Sequence, residues 1–199
     1  MIPSEQRFFG LSLRKQRLRL TWVLAPFFFP LAKPSPSLLL LGALLSVPGL
    51  VLRALAAGTI HKDRSLAVTG PYAHLRHPLY LGSFILGLAL VVAGGRWGFL
   101  PLFLGVFLWA YGRTVLVEDR GLELRFGEPY RDYRAEVPSF FPRVRPYAPT
   151  GSEKTVRGQG GALPFGFRPW LYRRNREWAT SAGLLIAFSL LWMKVVFFG

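Results

Sequence analysis

The sequence has no cysteine and few histidines, and both shortages limit the chemistry that the chain can perform. Without cysteine, disulfides, thiolate catalysis and thiol-ligated metals are excluded. Only 3 of the 199 residues are histidine, and no His-Glu-x-x-His motif is present, so we predict no metal site. Charged residues make up 18% of the chain, against about 25% in a typical soluble domain. This shortage of charge argues against a soluble globular protein.

Five long stretches carry no charge at all, and each approaches the length of a membrane span, about 20 residues. They are Thr21–Ala32, Pro34–Leu52, Leu79–Gly95, Trp97–Gly112 and Trp178–Met193. The first is short and needs its flanks to cross a bilayer. A tight turn at Gly94–Arg96 joins the third to the fourth. The sequence therefore predicts an all-α polytopic membrane protein with about five transmembrane helices.

Basic residues are concentrated on one side of this predicted topology. The N-terminus and the second and fourth connections share that side and hold 5, 4 and 13 of the 25 Lys and Arg residues. The opposite side holds Lys33, Arg96 and Lys194. By the positive-inside rule the N-terminus is cytoplasmic and the C-terminus is outside. The net charge of +15 then indicates contact with anionic membrane lipids, and no nucleic-acid binding.

The predicted spans divide the chain into four segments. Residues 1–52 hold a basic interfacial segment and two spans, and residues 53–145 hold the polar motifs and the helical hairpin. Residues 146–176 begin with a stretch rich in Gly, Pro, Ser and Thr, which is typical of a linker. Residues 177–199 form a last helix, whose small residues four apart would allow a second copy to approach closely. Homo-oligomerisation through this helix is one expectation.

Two segments with distinctive motifs flank the predicted hairpin. Residues 70–82 read Gly-Pro-Tyr and then Arg-His-Pro-x-Tyr-x-Gly. Residues 118–138 read Glu-Asp-Arg, then Phe-Gly-x-x-Tyr-x-x-Tyr, then Val-Pro. A hairpin returns the chain to the face that it left, so we expect both segments to converge on the cytoplasmic side. Tyr130 and Tyr133 are expected to pack the cytoplasmic helix and not to bind a ligand.

In this order and spacing the motifs resemble the integral-membrane methyltransferases that include isoprenylcysteine carboxyl methyltransferases and phospholipid N-methyltransferases. The resemblance covers about residues 53–142. It implies S-adenosylmethionine as the cofactor, and as the methyl acceptor a lipophilic small molecule with a carboxylate or an amine. We expect an integral protein of a prokaryotic inner membrane with its catalytic face in the cytoplasm. The resemblance puts the cofactor-contacting positions at Leu66, Ala67, Tyr72, His77 and Glu118.

The residue types in these motifs suit that cofactor. A carboxylate such as Glu118 can bind the α-ammonium group through a charge-assisted hydrogen bond. The rings of Tyr72 and Tyr80 can lie against a cation, and His77 offers a donor and an acceptor without a fixed charge. We add Arg76 and Tyr80 to the predicted cofactor-binding set. The alternatives are a snorkelling anchor for Arg76 and an interfacial belt residue for Tyr80.

The predicted catalytic residues are Arg113 and Glu118. In the isoprenylcysteine branch an arginine four residues before the glutamate contacts substrate, but Thr114 occupies that position here. Arg113 stands five residues before Glu118. On a helix its side chain therefore points about 100° away from that of residue 114. A snorkelling anchor is the alternative for Arg113. The choice between a carboxylate and an amine acceptor stays open, and an amine would need Glu118, Asp119 or water as proton acceptor.

Two functions of other classes also remain open. Sterol reductases have a similar helical membrane architecture, so a nicotinamide-dependent reductase of sterol-like or enone lipids is one alternative. The cofactor phosphates would then bind to basic residues such as Arg64, Arg76, Arg113 and Arg120. The other alternative is a non-catalytic membrane protein whose basic face binds anionic lipid.

Overall fold

The computed structural model of the chain describes residues 26–60, 65–148 and 167–198. In order, its helices are α1 (residues 26–31), α2 (Pro36–Thr59), α3 (Pro78–Ala93), α4 (Phe99–Phe126), α5 (Glu128–Glu136), α6 (Pro169–Arg174) and α7 (Trp178–Phe198). A short 3-10 helix, Gly70–Ala73, precedes α3. The predicted interfacial segment, Arg64 and most of the predicted linker lie outside the described residues. The all-α prediction is confirmed for the part of the chain that the structure describes.

Three helices are long and apolar enough to cross a membrane: α2 with 24 residues, α4 with 28 and α7 with 21. Helices α2 and α4 contain most of the second and fourth predicted spans, and α7 contains the fifth. Helix α3, which is apolar but only 16 residues long, contains most of the third. The first predicted span is described only from residue 26, and its helix ends at residue 31. The chain is therefore a polytopic membrane protein.

Two helices extend beyond the charge-free stretches that predicted them. Helix α2 continues past Leu52 to Thr59, and α4 continues past Gly112 to Phe126. At 1.5 Å per residue, the 28 residues of α4 are roughly 42 Å long, against a hydrocarbon core of about 30 Å. A charge-free stretch marks only the part of a helix that lies in lipid, whereas the helix itself continues into polar surroundings.

The chain divides into two compact units. Unit 1 comprises Met1–Ser46, Leu86–Arg125 and Leu184–Gly199, and unit 2 comprises Val47–Ile85 and Phe126–Gly183. Each unit includes part of α7. Leu191 of α7 is fully buried in a cluster of unit 1 that also contains Ala32, Leu39 and Ala93. The predicted association of α7 with a second copy stays a prediction.

Small residues bring two helices of unit 1 into close contact. A Cβ atom added to Gly42 of α2 would lie 2.7 Å from the carbonyl oxygen of Ala89 and 2.7 Å from Cβ of Ala93. Ala89 and Ala93, both on α3, have no exposed surface. Side chains of this size allow helix backbones to approach closely in a membrane. Apolar packing of this kind holds α2 against α3 in unit 1.

The predicted tight turn between the third and fourth spans is confirmed. Helix α3 ends at Ala93 and α4 begins at Phe99. Gly95 between them has φ +64°, a conformation that glycine adopts without steric cost. The backbone N–H of Lys33 donates to the carbonyl of Gly94 at 2.7 Å. This bond ties the segment between α1 and α2 to the turn.

A network around one arginine holds unit 2. Arg53 of α2 donates from Nε to Oε1 of Glu177 at 2.5 Å and from Nη2 to the hydroxyl of Thr180 at 3.1 Å. Its Nη1 donates to the carbonyl of Leu79 at 3.2 Å and to the hydroxyl of Ser83. The Arg53 and Glu177 side chains are only 17% and 10% exposed. An ion pair so removed from water is stable only when such additional hydrogen bonds satisfy it.

Part of the predicted linker also packs in unit 2. Residues 169–174 form α6, and the Asn175 side chain donates to the carbonyl of Ala57 at 2.7 Å and to that of Ile60 at 3.3 Å. The backbone N–H of Arg168 donates to the carbonyl of Gly58 at 2.8 Å. These bonds satisfy carbonyl groups at the end of α2, which have no partner within the helix.

Candidate functional site

The candidate site is built on a turn in unit 2. Gly70 has φ +59° and begins the short helix Gly70–Ala73, with Pro71 in its first turn. Glycine tolerates this conformation, and proline fits the start of a helix because its missing N–H is not needed there. The chain leaves the helix at His74 and enters α3 at Pro78. The Gly-Pro-Tyr and His-Pro motifs therefore shape the backbone as well as supplying side chains.

A second segment of unit 2, residues 138–147, runs along this turn in the opposite direction. Three backbone hydrogen bonds of 2.8–2.9 Å join them, from Arg76 to Pro138, from Arg143 to His74 and from Tyr147 to Ala73. We refer to residues 70–77 together with residues 138–147 as the clamped turn. Pro138 ends the second motif-bearing segment, so the part of that segment in unit 2 lies against the first, as expected. The cytoplasmic side for this contact stays a prediction.

Two tyrosines of α5 fasten the turn through their hydroxyl groups. The Tyr133 hydroxyl donates to the carbonyl of Tyr72 at 2.7 Å, and the Tyr130 hydroxyl accepts from Nη1 of Arg76 at 3.3 Å. The Tyr130 side chain is 0% exposed and that of Tyr133 is 2% exposed. Their predicted role in packing α5 is confirmed, and the structure adds a role in holding the backbone of Tyr72.

The end of α5 provides a second contact for Arg76. Val137 is extended, with φ −104° and ψ 120°, as the residue before a proline is expected to be. Its carbonyl accepts from Nε of Arg76 at 3.0 Å. The Arg76 guanidinium thus makes protein contacts at two of its nitrogens. Whether it also contacts a cofactor stays a prediction.

His74 has a role that the sequence did not reveal. Its Nδ1 lies 2.9 Å from the carbonyl oxygen of Arg143, 69 residues later. Because a carbonyl can only accept, Nδ1 carries the hydrogen, and in the neutral imidazole Nε2 is left as the acceptor. No local pattern marks a contact over such a separation.

Six of the predicted cofactor-binding residues lie in unit 2, within or beside the clamped turn. Tyr72 is 5% exposed and His77 is 4% exposed. The His77 and Tyr80 rings lie with their centroids 5.6 Å apart. Leu66 and Ala67 are half-buried in the segment that leads into the turn. Imidazole, phenol and apolar groups are therefore available within 15 consecutive residues of the sequence.

The two predicted catalytic residues lie on α4 in unit 1. Arg113 is exposed, and its guanidinium carbon lies 5.4 Å from the centroid of the Trp109 ring. Glu118 is exposed, whereas its neighbour Asp119 is buried. The Thr114 hydroxyl donates to the carbonyl of Ala110 on the same helix at 2.6 Å. The roles of Arg113 and Glu118 stay predictions. Among the described residues, no group of three or more His, Cys, Asp or Glu side chains could hold a metal ion.

The model of the NnrU protein family matches residues 18–198, and the chain belongs to this family. No solved structure matches it.

Three curated relatives share between 32% and 34% identity with the chain. Protein-S-isoprenylcysteine O-methyltransferase of Schizosaccharomyces pombe is 34% identical over 91 residues, 45% of this chain and 38% of the relative. Cobalt-zinc-cadmium resistance protein CzcN of Cupriavidus metallidurans is 32% identical over 139 residues, 66% of this chain and 63% of the relative. Nickel-cobalt-cadmium resistance protein NccN of Alcaligenes xylosoxydans xylosoxydans is 32% identical over 83 residues, 42% of this chain and 38% of the relative.

The matched regions thus span less than two thirds of each relative's own length. The match to the isoprenylcysteine methyltransferase, together with the family match, confirms the resemblance to membrane methyltransferases that the sequence motifs indicated.

Proposed function

We propose that the chain is a membrane-embedded methyltransferase that uses S-adenosylmethionine and methylates a lipophilic carboxylate or amine. The relationship to an isoprenylcysteine O-methyltransferase supports this proposal. The structural observation that carries it is the clamped turn, which buries Tyr72 and His77. Residues more than sixty positions away bond to the backbone of Tyr72 and of Arg76, the residue before His77. Membrane anchoring by these side chains alone would not require hydrogen bonds from distant segments to the backbone of the turn.

The side chains of the clamped turn fit the chemistry of this cofactor. His77 can donate or accept a hydrogen bond without a fixed charge, and the rings of Tyr72 and Tyr80 suit a sulfonium cation. Leu66 and Ala67 provide apolar surface beside the turn. The α-ammonium group needs a carboxylate, and we assign this role to Glu118 of α4.

The protein contributes mainly orientation and the exclusion of water. When bound, S-adenosylmethionine supplies an electrophilic methyl group. The clamped turn holds His77 and Tyr72 in one arrangement, and correct orientation of two reactants is worth about 7–11 kcal/mol of the barrier. A carboxylate acceptor needs no base, whereas an amine acceptor needs Glu118, Asp119 or water to take its proton.

The names of two relatives refer to metal resistance, but they identify no metal-binding residue in this chain. Among the described residues, no group of three or more His, Cys, Asp or Glu side chains could hold a metal ion, and we propose no metal site. The nicotinamide-dependent reductase and the lipid-binding protein remain as alternatives. They differ from the proposal in which cofactor the protein binds, and this difference can be measured.

Calorimetry with the purified full-length protein in a neutral detergent tests the proposal. S-adenosylmethionine and the reduced nicotinamide dinucleotide phosphate are titrated separately into the wild type, His77→Ala and Glu118→Gln. Glu128→Gln is the matched control, because Glu128 is an exposed carboxylate on α5 outside the proposed site. Loss of one charge-assisted contact should cost about 1.5–3 kcal/mol, roughly 10- to 150-fold in affinity.

We expect S-adenosylmethionine to bind to the wild type and to Glu128→Gln, and to bind much more weakly to the other two variants. Binding of the nicotinamide cofactor alone would replace the proposal by the reductase. Binding of neither cofactor would leave the non-catalytic lipid-binding protein as the remaining alternative. An unchanged affinity in Glu118→Gln would remove Glu118 from the site.

We also propose that the site faces the cytoplasm. The predicted topology places 22 of the 25 Lys and Arg residues on that side. Reporter fusions after residue 150 and at the C-terminus should then lie on opposite sides of the membrane. The same side for both fusions would contradict this arrangement.

A further inference from the structure

We propose that unit 1 contains a second binding site, which takes the anionic phosphate group of a membrane phospholipid. The site is a cavity of about 470 Å³. Residues 30–34 between α1 and α2 form one wall, and Arg96, Lys194 and Phe198 complete the lining. Cavities that hold small molecules commonly measure about 300–1,000 Å³.

Three cations meet in this cavity. Of the 25 Lys and Arg residues, 22 lie in the stretches 7–19, 53–76 and 113–176. The other three are Lys33, Arg96 and Lys194, far apart in the sequence, and all three line the same cavity. Cationic residues that served only as separate membrane anchors would not need to line one cavity. Their convergence indicates that an anion binds between them.

No carboxylate neutralises these charges among the described residues that line the cavity. The described acidic residues of unit 1 are Glu118, Asp119 and Glu123, all near the far end of α4. Glu118 follows Phe99, the first residue of α4, by 19 positions, which is about 28 Å along the helix. Among the described residues of unit 1, the charges of Lys33, Arg96 and Lys194 therefore have no carboxylate partner.

Helix capping accounts for only part of this cluster. Nζ of Lys194 donates to the carbonyls of Phe29 at 3.0 Å and Pro30 at 2.5 Å, and Nε of Arg96 donates to that of Leu31 at 3.1 Å. These carbonyls end α1 and have no partner within the helix. Capping thus explains Lys194 and one nitrogen of Arg96.

The remaining donors have no such explanation. Within the described part of the chain, the Lys33 ammonium and the two terminal nitrogens of Arg96 make no hydrogen bond or ion pair, and both residues are exposed. A guanidinium presents its N–H groups in a planar fork that matches two oxygens of a phosphate. Lys33 adds a point charge. The pair suits a phosphate group better than a single chloride ion.

The surroundings favour a phospholipid as the source of that phosphate. The cavity lies where α2 begins, α3 ends and α7 ends, and the ends of membrane-spanning helices lie at the level of lipid headgroups. Leu31 and Phe198, which line the cavity, and nearby Trp97 are exposed apolar side chains. They offer apolar surface to acyl chains beside a cationic cavity. Free inorganic phosphate has the same chemistry and is the other possible source.

Native mass spectrometry of the full-length protein in a neutral detergent tests this site. Phosphatidylglycerol and phosphatidylcholine are titrated separately, and bound lipids are counted. The test variant is Lys33→Gln/Arg96→Gln, which keeps the Lys194 cap. The matched control is Arg173→Gln/Arg174→Gln, which removes two exposed charges from unit 2. The single variant Lys33→Gln is included because the Lys33 side chain makes no hydrogen bond or ion pair with a described residue, so we expect the fold to be unaffected.

We expect the wild type to retain one phosphatidylglycerol in preference to phosphatidylcholine. The test variant should lose this preference by about tenfold, Lys33→Gln by less, and the control by less than about twofold. Unchanged retention in the test variant, or an equal loss in the control, would overturn the site. Sodium phosphate at an ionic strength matched by sodium chloride separates the two sources. Displacement of the lipid by phosphate but not by chloride would keep the anion site and assign it to soluble phosphate.

Discussion

The two units of this protein are held by different kinds of contact. Unit 1 relies on small residues, with Gly42 against Ala89 and Ala93. Unit 2 relies on polar groups, with Arg53 paired to Glu177 and hydrogen bonds between the motif-bearing segments. Apolar packing is non-directional, whereas a hydrogen bond fixes the direction of both partners. Unit 1 also has hydrogen bonds, but unit 2, which contains the clamped turn, adds a largely buried ion pair and hydrogen bonds between side chains of distant segments.

The largest expected effect is on the ion pair of unit 2. Arg53→Met leaves Glu177 with little exposure to water and no charged partner, which should lower the free energy of unfolding by about 3–5 kcal/mol. Denaturation of the purified protein in detergent measures this loss. The matched control is Glu136→Gln, which removes the exposed pair with Arg143, where Glu136 is 58% exposed and the contact is 3.5 Å.

The control should lose less than about 1 kcal/mol. The double variant Arg53→Met/Glu177→Leu should recover part of the loss, because no charge is left without a partner. Equal losses for the buried and the exposed pair would contradict the polar character assigned to unit 2.

In unit 1 the corresponding test is the close contact of α2 with α3. Gly42→Ala places a Cβ atom 2.7 Å from both the Ala89 carbonyl oxygen and Cβ of Ala93. The helices must separate, and overpacking of this kind costs about 1–3 kcal/mol. Gly105→Ala is the control, because no described atom lies within 4 Å of its Cβ position. A loss of stability in both variants would show that helix separation is not the cause.

The hydroxyl group that holds the clamped turn should have a smaller effect on stability. Tyr133→Phe removes the 2.7 Å hydrogen bond to the buried carbonyl of Tyr72, and the loss of one such bond costs about 1 kcal/mol. Tyr130→Phe removes a longer bond, 3.3 Å to Arg76, and should cost less. We expect Tyr133→Phe also to weaken S-adenosylmethionine binding. Loss of stability without loss of affinity would separate the turn from the cofactor site.

The smallest expected effect on stability is that of Arg113→Lys. This variant separates a substrate-binding role of Arg113 from a role as a snorkelling anchor. A cation over an exposed tryptophan ring contributes about 0.5–1 kcal/mol, and lysine can serve that contact and a snorkelling role as well. Arg113→Lys should therefore unfold like the wild type. If the guanidinium contacts substrate, kcat/KM for methyl transfer should fall, because lysine lacks the planar fork. Unchanged kinetics would assign Arg113 to anchoring alone.

The sequence predicted the features that local signals determine. Gly95 marked the tight turn between the third and fourth predicted spans, because the backbone preference of glycine is a property of a single residue. Charge-free stretches located three membrane-spanning helices, because a bilayer excludes charge along a fixed length. The convergence of the motif-bearing segments followed from a hairpin returning to the same side.

Contacts between distant residues could not be predicted in this way. Arg53 looked like one more cytoplasmic charge, and the prediction ended the second span at Leu52, whereas the charge is paired with Glu177 and α2 continues to Thr59. The contact between His74 and Arg143 and the three cations of the unit 1 cavity arise only when distant segments meet. No periodic pattern encodes such pairings.

The transfer of a labelled methyl group tests the central claim most directly. The full-length protein in vesicles made from cell lipids is incubated with S-adenosylmethionine that carries tritium in its methyl group, and the organic phase is counted. The account predicts label in the lipid extract with the wild type and with Glu128→Gln. It predicts background counts with His77→Ala that unfolds like the wild type. Equal label with His77→Ala would contradict the account. An absence of label with a wild type that binds the nicotinamide cofactor would contradict it as well.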